Sequence, residues 1–268
     1  MLNLLRMDLY RIFRNKSFYI CFGILAFANV LAFLILFIII NPETRDFIMQ
    51  HGAELTSDAA DIESSLANTT ILEVFRQGTV GGGFLSVTTG LLCALFVCMD
   101  FESGFVKNIM AAHENKWDYI LSKAAVFGVI NFLYLTVTFL ATLLLNVLSG
   151  GIFMYSSPGD ILFYLFSAWM IVNGFSSLTL LICMVTRSKA AGVAGAICLN
   201  SGLVVMIAST VFSLFGFHWI FDYSLYTTLA SLPSTFQGNY SLRPIITGAV
   251  FFILYTVISK IVLASKDI

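Results

Sequence analysis

Long apolar stretches separated by short polar segments dominate the pattern along this chain of 268 residues. Each stretch is about 20 residues long or longer, which is enough for an α-helix to cross a hydrocarbon core of about 30 Å. The pattern therefore predicts an all-α membrane protein with six transmembrane helices in a single transmembrane domain, 18–263. The predicted spans cover residues 18–40, 79–99, 124–148, 161–185, 190–215 and 244–263.

The first 17 residues mix apolar and basic positions at helical spacing. This spacing predicts an amphipathic helix, residues 1–17, that lies in the membrane interface ahead of the first span. A cleaved signal peptide is the alternative, but the apolar run 18–40 is too long and lacks a small-residue cleavage site at its end. The apolar positions are Leu2, Leu5, Leu9, Ile12 and Phe13, and the basic ones are Arg6, Arg11, Arg14 and Lys16.

Three longer polar segments separate the spans. Residues 41–78 are acidic and predict a solvated loop with room for short helices, whereas residues 100–123 contain several lysines. Residues 216–243 are aromatic and partly polar, as is common at membrane surfaces, and predict an interfacial or partly re-entrant element. The remaining connections are short.

The distribution of basic residues predicts the orientation. Eleven Lys and Arg residues fall in the segments on one side of the predicted spans, and three fall on the other side. Basic residues in short loops remain in the cytoplasm, so both termini and the segment 100–123 are predicted inside. The acidic loop 41–78 and the aromatic element 216–243 are then external.

Composition and motifs exclude several classes of function. Hydrophobic residues make up 59% of the chain and charged residues 11%, and the formal net charge of −1 gives no attraction for nucleic acid. The sequence contains no phosphate-binding loop, HExxH or GxSxG motif, and its three histidines lack metal-ligand spacing. We therefore expect no catalytic residues, no metal ligands and no directly bound cofactor. A multi-pass membrane localisation fits this composition.

The predicted spans also lack charged residues apart from Lys260 near the end of the sixth. Carriers coupled to protons or ions place ionisable groups near the middle of the membrane. If this protein moves a solute uphill, the energy should therefore enter from outside the bilayer.

Segment 100–123 is the best candidate for that input. It mixes acids and lysines with apolar residues such as Phe105, Val106, Ile109 and Trp117, which suits a short helix that docks on a protein partner. An interfacial helix resting on lipid headgroups is the alternative interpretation.

Polar residues inside the spans are a second set of candidates. Asn29, Thr88, Asn200 and Ser201 could line a substrate path, because a hydrogen-bonding group in hydrocarbon needs a partner. Hydrogen bonds between helices are the more common explanation for such residues.

Taken together, the basic amphipathic segment and the loop after the second span resemble the permease subunits of ABC-2 type ATP-binding cassette transporters. In that family an amphipathic elbow helix precedes the first span, as Arg6, Arg11, Arg14 and Lys16 suggest here. The loop after the second span carries an acid, a glycine, a lysine and an apolar position. The matching residues here are Glu102, Gly104, Lys107 and Ile109, with Phe105 in place of the usual threonine; Val106 and Trp117 complete the candidate coupling surface.

The resemblance implies a transmembrane half that pairs with itself or with a related permease. ATP and Mg²⁺ would bind to a separate cytosolic ABC ATPase subunit, which would contact segment 100–123 as a coupling helix. Short permeases of this kind commonly export amphipathic antimicrobial or cytolytic peptides, or hydrophobic small molecules. A membrane sensor or assembly protein that transports nothing is the alternative function.

Overall fold

The computed structural model describes residues 2–40, 69–112, 116–236 and 242–265, and within these ranges the chain is mainly helical. Most of the predicted loop 41–78 therefore lies outside the described residues, as do parts of the segments 100–123 and 216–243. The helices are α1 (Leu2–Phe13), α2 (Lys16–Ile40), α3 (Ile71–Phe75), α4 (Phe84–Glu102), α5 (Phe105–Ala112), α6 (Lys116–Leu148), α7 (Pro158–Thr186), α8 (Lys189–Asn200), α9 (Leu203–Ser213), α10 (Leu225–Ala230) and α11 (Leu242–Ser265). A π-helical turn, Arg76–Gly81, follows α3, and a 3₁₀ turn, His218–Tyr223, precedes α10.

Five of these helices, α2, α4, α6, α7 and α11, are long and apolar enough to cross a membrane. The pair α8 and α9 makes a sixth crossing if it is counted as one span. The structure thus agrees with a membrane protein of several helical spans. The helices extend beyond the apolar stretches, and α6, with 33 residues, is about 50 Å long.

The segment predicted as one straight fifth span is broken. Helices α8 and α9 meet at an angle of 55° across Ser201 and Gly202. Gly202 has a φ of +80°, which only glycine adopts readily, and the ring of Tyr226 occupies the space that a Cβ would need. The break is therefore set by the local sequence and by its packing.

Residues 71–80 correct the prediction of a solvated loop up to residue 78. Ile71, Leu72, Val74 and Phe75 are buried, and the π-helical turn that follows packs on α2. A Cβ at Gly78 would lie 2.8 Å from the Cβ of Ala32, so the two backbones approach closely. The apolar residues of this segment bury their side chains in the bundle.

Helices α7 and α11 approach each other closely at Gly248. A Cβ at Gly248 would lie 2.7 Å from the carbonyl carbon of Met170. Small residues allow such approach where no hydrophobic effect drives helices together. This pair anchors one side of the bundle, and α6 packs beside it.

One end of the bundle gathers most of the described basic side chains, and we call it the charged end. The C-terminal end of α4 and the N-terminal ends of α2, α6 and α8 meet there, together with the C-terminal end of α11. Contacts at this end include Lys189 with Glu102 at 3.6 Å, and Lys116 Nζ with the carbonyl of Leu263 at 3.3 Å.

Candidate functional site

Four charged side chains from three helices form a buried cluster at the charged end. Lys123 Nζ on α6 lies 2.8 Å from Asp8 Oδ1 on α1 and 2.6 Å from Asp100 Oδ2 on α4. Arg11, one turn after Asp8, places a guanidinium nitrogen 2.6 Å from Asp100 Oδ1. The cluster therefore joins α1 to α4 and α6, the two helices that flank α5.

Burial is nearly complete for three of the four side chains, and the fourth, Arg11, is 26% exposed. The side chains of Lys123 and Asp100 are 0% exposed, and that of Asp8 is 2% exposed. The hydroxyl of Ser122 donates to Asp8, and the hydroxyl of Tyr119 donates to Asp100. Two acids and two bases balance, so the charges compensate one another where water is excluded.

Aromatic rings enclose the two cations. Lys123 Nζ lies 4.5 Å from the ring centroid of Phe96, and the guanidinium of Arg11 lies 4.1 Å from that of Phe105 at the start of α5. Cations over aromatic faces are stabilised by the ring quadrupole, more strongly when they are desolvated. Arg11 thus contacts both the buried acids and the helix that follows α4.

The predicted spans 79–99 and 124–148 carry no charged residue, and the cluster lies just beyond their ends. Asp100 and Lys123 lie just outside the apolar stretches but inside helices α4 and α6, because both helices continue past those stretches. A signal did exist in the sequence. Asp8 lies on the same helical face as Leu4 and Ile12, and all three are buried. An acid on an otherwise apolar helix face indicates that a charged or hydrogen-bonding partner is buried with it.

The candidate coupling residues divide into buried and exposed sets. Val106 and Ile109 are buried within this chain, which corrects the expectation that they face a partner. Lys107 is exposed, and Gly104, with a φ of +69°, forms the turn between α4 and α5. Glu102 is half exposed and pairs with Lys189, whereas Phe105 lies under Arg11. A partner would therefore meet a polar surface.

Trp117 lies apart from these residues, on α6. Its ring contacts the ammonium group of Lys260 on α11, at 5.3 Å from the ring centroid. The structure thus associates Trp117 with α11 and not with α5.

The basic residues of α1 have different surroundings. Arg6 is exposed, Arg14 stacks on the exposed ring of Tyr10, and Lys16 is exposed at the start of α2. Only Arg11 among these four joins the buried cluster.

Two of the candidate substrate-path residues bond to neighbouring helices. Asn29 donates to the carbonyl of Thr138 and to the hydroxyl of Thr142 on α6, at 3.3 and 3.0 Å. The side-chain amide of Asn200 donates to the backbone carbonyl of Ser86. The hydroxyl of Ser86 in turn donates to the backbone carbonyl of Asn200. Thr88 donates to carbonyls of its own helix. Asn29 and Thr88 therefore have local structural partners.

Unpaired polar atoms mark the break between α8 and α9. Asn200 Oδ1 and Ser201 Oγ are both buried and have no hydrogen-bond partner within the described part of the chain. Arg76 is another such case, since its Nε is buried in the π-helical turn without a partner among the same residues. Unsatisfied polar atoms in a bundle interior are where a polar ligand group or a water molecule fits.

No protein-family model matches this sequence, and no curated protein matches it. Within the described ranges, no group of His, Cys, Asp and Glu side chains is arranged to hold a metal ion. His51 and His113 lie outside these ranges.

Proposed function

We propose that this chain is the membrane permease subunit of an ABC-2 type exporter, driven by a separate cytosolic ATPase. The buried cluster of Asp8, Arg11, Asp100 and Lys123 carries the proposal. It ties α1 to the two helices that flank α5, so a force applied to α5 reaches α1, α4 and α6 through short ionic contacts. In this proposal α1 is the elbow helix and α5 the coupling helix.

The surface of α5 supports this role. Val106 and Ile109 hold the helix to the bundle, while Lys107 and Asn108 face outward. A helix fixed on one face and exposed on the other suits transmission of movement from a docked protein. Docking would be largely polar, with Lys107 as its charged contact.

The positions of the basic side chains support an orientation with the charged end in the cytoplasm. Arg6, Arg14, Lys16 and Lys107 are exposed at that end, whereas Arg243 is exposed at the opposite end. An excess of basic residues marks the cytoplasmic side. Both termini of the chain would then be cytoplasmic, in a cell membrane of a bacterium.

The proposed cargo is an amphipathic peptide, such as an antimicrobial or cytolytic one, or a hydrophobic small molecule. The unpaired oxygens of Asn200 and Ser201 support a polar contact with cargo at the break in the fifth span. A complete transporter would need two permease halves, identical or related, and an ATPase on each half that binds ATP and Mg²⁺.

The test is photocrosslinking from benzoylphenylalanine placed at position 107 or 108 in membranes of the source cell. We expect crosslinks to a protein that mass spectrometry identifies as an ATP-binding cassette ATPase. Lys107→Glu should reduce copurification of that ATPase, and the control Arg243→Glu, at the opposite end, should not.

Two outcomes would count against the proposal. One is transport by the isolated chain in ATP-free vesicles under a proton gradient. The other is the absence of any ATPase among the crosslinked proteins, with no compound accumulating in cells that lack the chain. The second outcome would favour a sensor or assembly protein that transports nothing.

A further inference from the structure

A lateral groove runs between α6, α7 and α11, on a different face of α6 from the buried cluster. Its volume is about 420 Å³, within the range of small-molecule sites. Ala124 and Gly128 line it on α6, Trp169 and Asn173 on α7, and Phe252 on α11. The lining is almost wholly apolar, and the groove is open on one side.

The walls of the groove are fixed by hydrogen bonds. Trp169 Nε1 donates to the carbonyl of Gly128 at 2.8 Å, which holds the indole ring at the edge of the groove. Asn173 Oδ1 accepts from Asn131 at 2.7 Å, so this amide is already paired within the bundle. The groove is therefore preformed, and its chemistry suits a hydrocarbon chain.

The face of α6 that lines the groove continues to Trp117. Trp117, Ala124 and Gly128 are spaced seven and four residues apart, so they lie on one face of the helix. Trp117 is about 10 Å nearer the charged end than Ala124. Tryptophan at this depth is typical of the membrane interface, where lipid headgroups lie.

Lys260 provides a cation at that level. It lies two turns beyond Phe252 on α11, and its ammonium group is 5.3 Å from the ring centroid of Trp117. No ion pair between Lys260 and a carboxylate is formed within the part of the chain that the structure describes. Nearby, Lys116 donates to the carbonyls of Leu263 and Ala264 at the end of α11, so that ammonium group already has partners.

We propose that this groove binds one anionic phospholipid from the bilayer. An acyl chain fills the groove between Gly128, Trp169 and Phe252, and the phosphate meets the ammonium group of Lys260 above the ring of Trp117. The ammonium group of Lys260 lies where the headgroup of a lipid in the groove would be. Because this group is a cation, it favours a lipid with a net negative charge over a zwitterionic one. This inference needs only a chain embedded in a membrane and does not rest on the proposed ATPase.

The test uses the purified chain with Trp219→Phe, which leaves Trp169 in the wall of the groove and Trp117 at headgroup level as the fluorescent residues. The chain is reconstituted in phosphatidylcholine vesicles that contain brominated phosphatidylglycerol or, in parallel, brominated phosphatidylcholine. Brominated acyl chains quench an indole only when they lie beside it. We expect half-maximal quenching at about a fivefold lower fraction of the anionic lipid, the preference that about 1 kcal/mol per lysine gives.

Two variants separate the headgroup from the acyl chain. Lys260→Gln should remove the preference for the anionic lipid, whereas Lys16→Gln, an exposed lysine on α2, should keep it. Gly128→Leu should reduce quenching by both lipids, because a Cβ there meets only Asn173 Oδ1 at 3.9 Å and the larger side chain enters the groove. Gly23→Leu is the matched control, since a Cβ at Gly23 has no neighbour within 4 Å and lies away from the groove.

Equal quenching by the two lipids would overturn the proposal, and so would a preference that survives Lys260→Gln. The proposal is also wrong if a second copy of the chain covers the groove. In that case neither lipid will quench the parent, and a cysteine at position 128 will crosslink two copies. Each variant is first compared with the parent by gel filtration in detergent, so that a folding defect is recognised. The Lys260→Gln result stands even if Gly128→Leu does not fold, because Lys260 is partly exposed.

Discussion

The charged end and the middle of the bundle differ in the kind of polar side chain that they bury. At the charged end, Asp8, Asp100 and Lys123 are ionic and almost completely buried. In the middle, the buried polar side chains described here are mainly neutral amides and hydroxyls, such as Asn29 with Thr142 and Asn131 with Asn173. Arg76, half-buried in its π-helical turn, is the exception.

This difference follows from the cost of moving charge away from water. A buried ion pair must overcome a desolvation cost of several kcal/mol per ion, and this is feasible only when every charge is matched. Neutral amides between membrane helices contribute less, on average about 0.6 kcal/mol. The bundle therefore uses ionic contacts where α1 must be held at the end, and weaker contacts along the spans.

Loss of Lys123 should have the largest effect on stability. Lys123→Met leaves Asp8 and Asp100 with Arg11 as the one remaining cation of the cluster. We expect the free energy of unfolding to fall by about 3–5 kcal/mol, as when one partner of a buried pair is removed. Unfolding by SDS in mixed micelles measures this quantity.

A second substitution tests whether charge balance is the cause. Lys123→Met combined with Asp8→Asn restores neutrality and keeps the contact between Arg11 and Asp100. The double variant should regain about 1–3 kcal/mol relative to the single variant. If the two losses simply add, packing and not charge explains the cluster.

Asn29→Ala should have a smaller effect. It removes the hydrogen bonds from α2 to Thr138 and Thr142 on α6, and we expect a loss of about 1 kcal/mol in the same assay. Thr210→Ala is the control, because that hydroxyl is exposed and bonds only to a carbonyl of its own helix. A loss as large as that of Lys123→Met would remove the contrast between the two regions.

The exposed pair of Lys189 and Glu102 should matter least. Both side chains are about half exposed, at 47% and 51%, so water screens their attraction. Lys189→Gln should change the free energy of unfolding by less than about 0.5 kcal/mol, and less still at high salt. A loss above 1 kcal/mol would mean that this pair belongs functionally with the buried cluster.

The apolar stretches locate three of the helices that are long and apolar enough to cross a membrane. Hydrophobicity over about 20 residues reports the length of the bilayer core, so α2, α7 and α11 begin and end within about three residues of the predicted limits. It does not report where a helix continues past the core. For this reason the sequence pattern predicts a loop where the first two turns of α6, from Lys116 to Lys123, are helical.

The site depended on contacts that no local pattern contains. Asp8 and Lys123 are separated by 115 residues, and their pairing arises only when α1 packs on α6. The break at Gly202 had a local signal in Asn200, Ser201 and Gly202, but the uninterrupted hydrophobicity of residues 190–215 outweighed it. Val106 and Ile109 are included in the predicted docking surface because composition alone does not tell which side a short helix buries.

Gly83 and the break at Ser201 lie against each other. A Cβ at Gly83 would lie 3.3 Å from the carbonyl oxygen of Asn200 and 3.5 Å from the Cα of Ser201. Gly83 precedes α4, and Ser201 separates α8 from α9, so two chain segments interrupt their helices at the same depth. The bundle thus has a seam at that level, where the backbones of the two segments leave their helices in contact with each other.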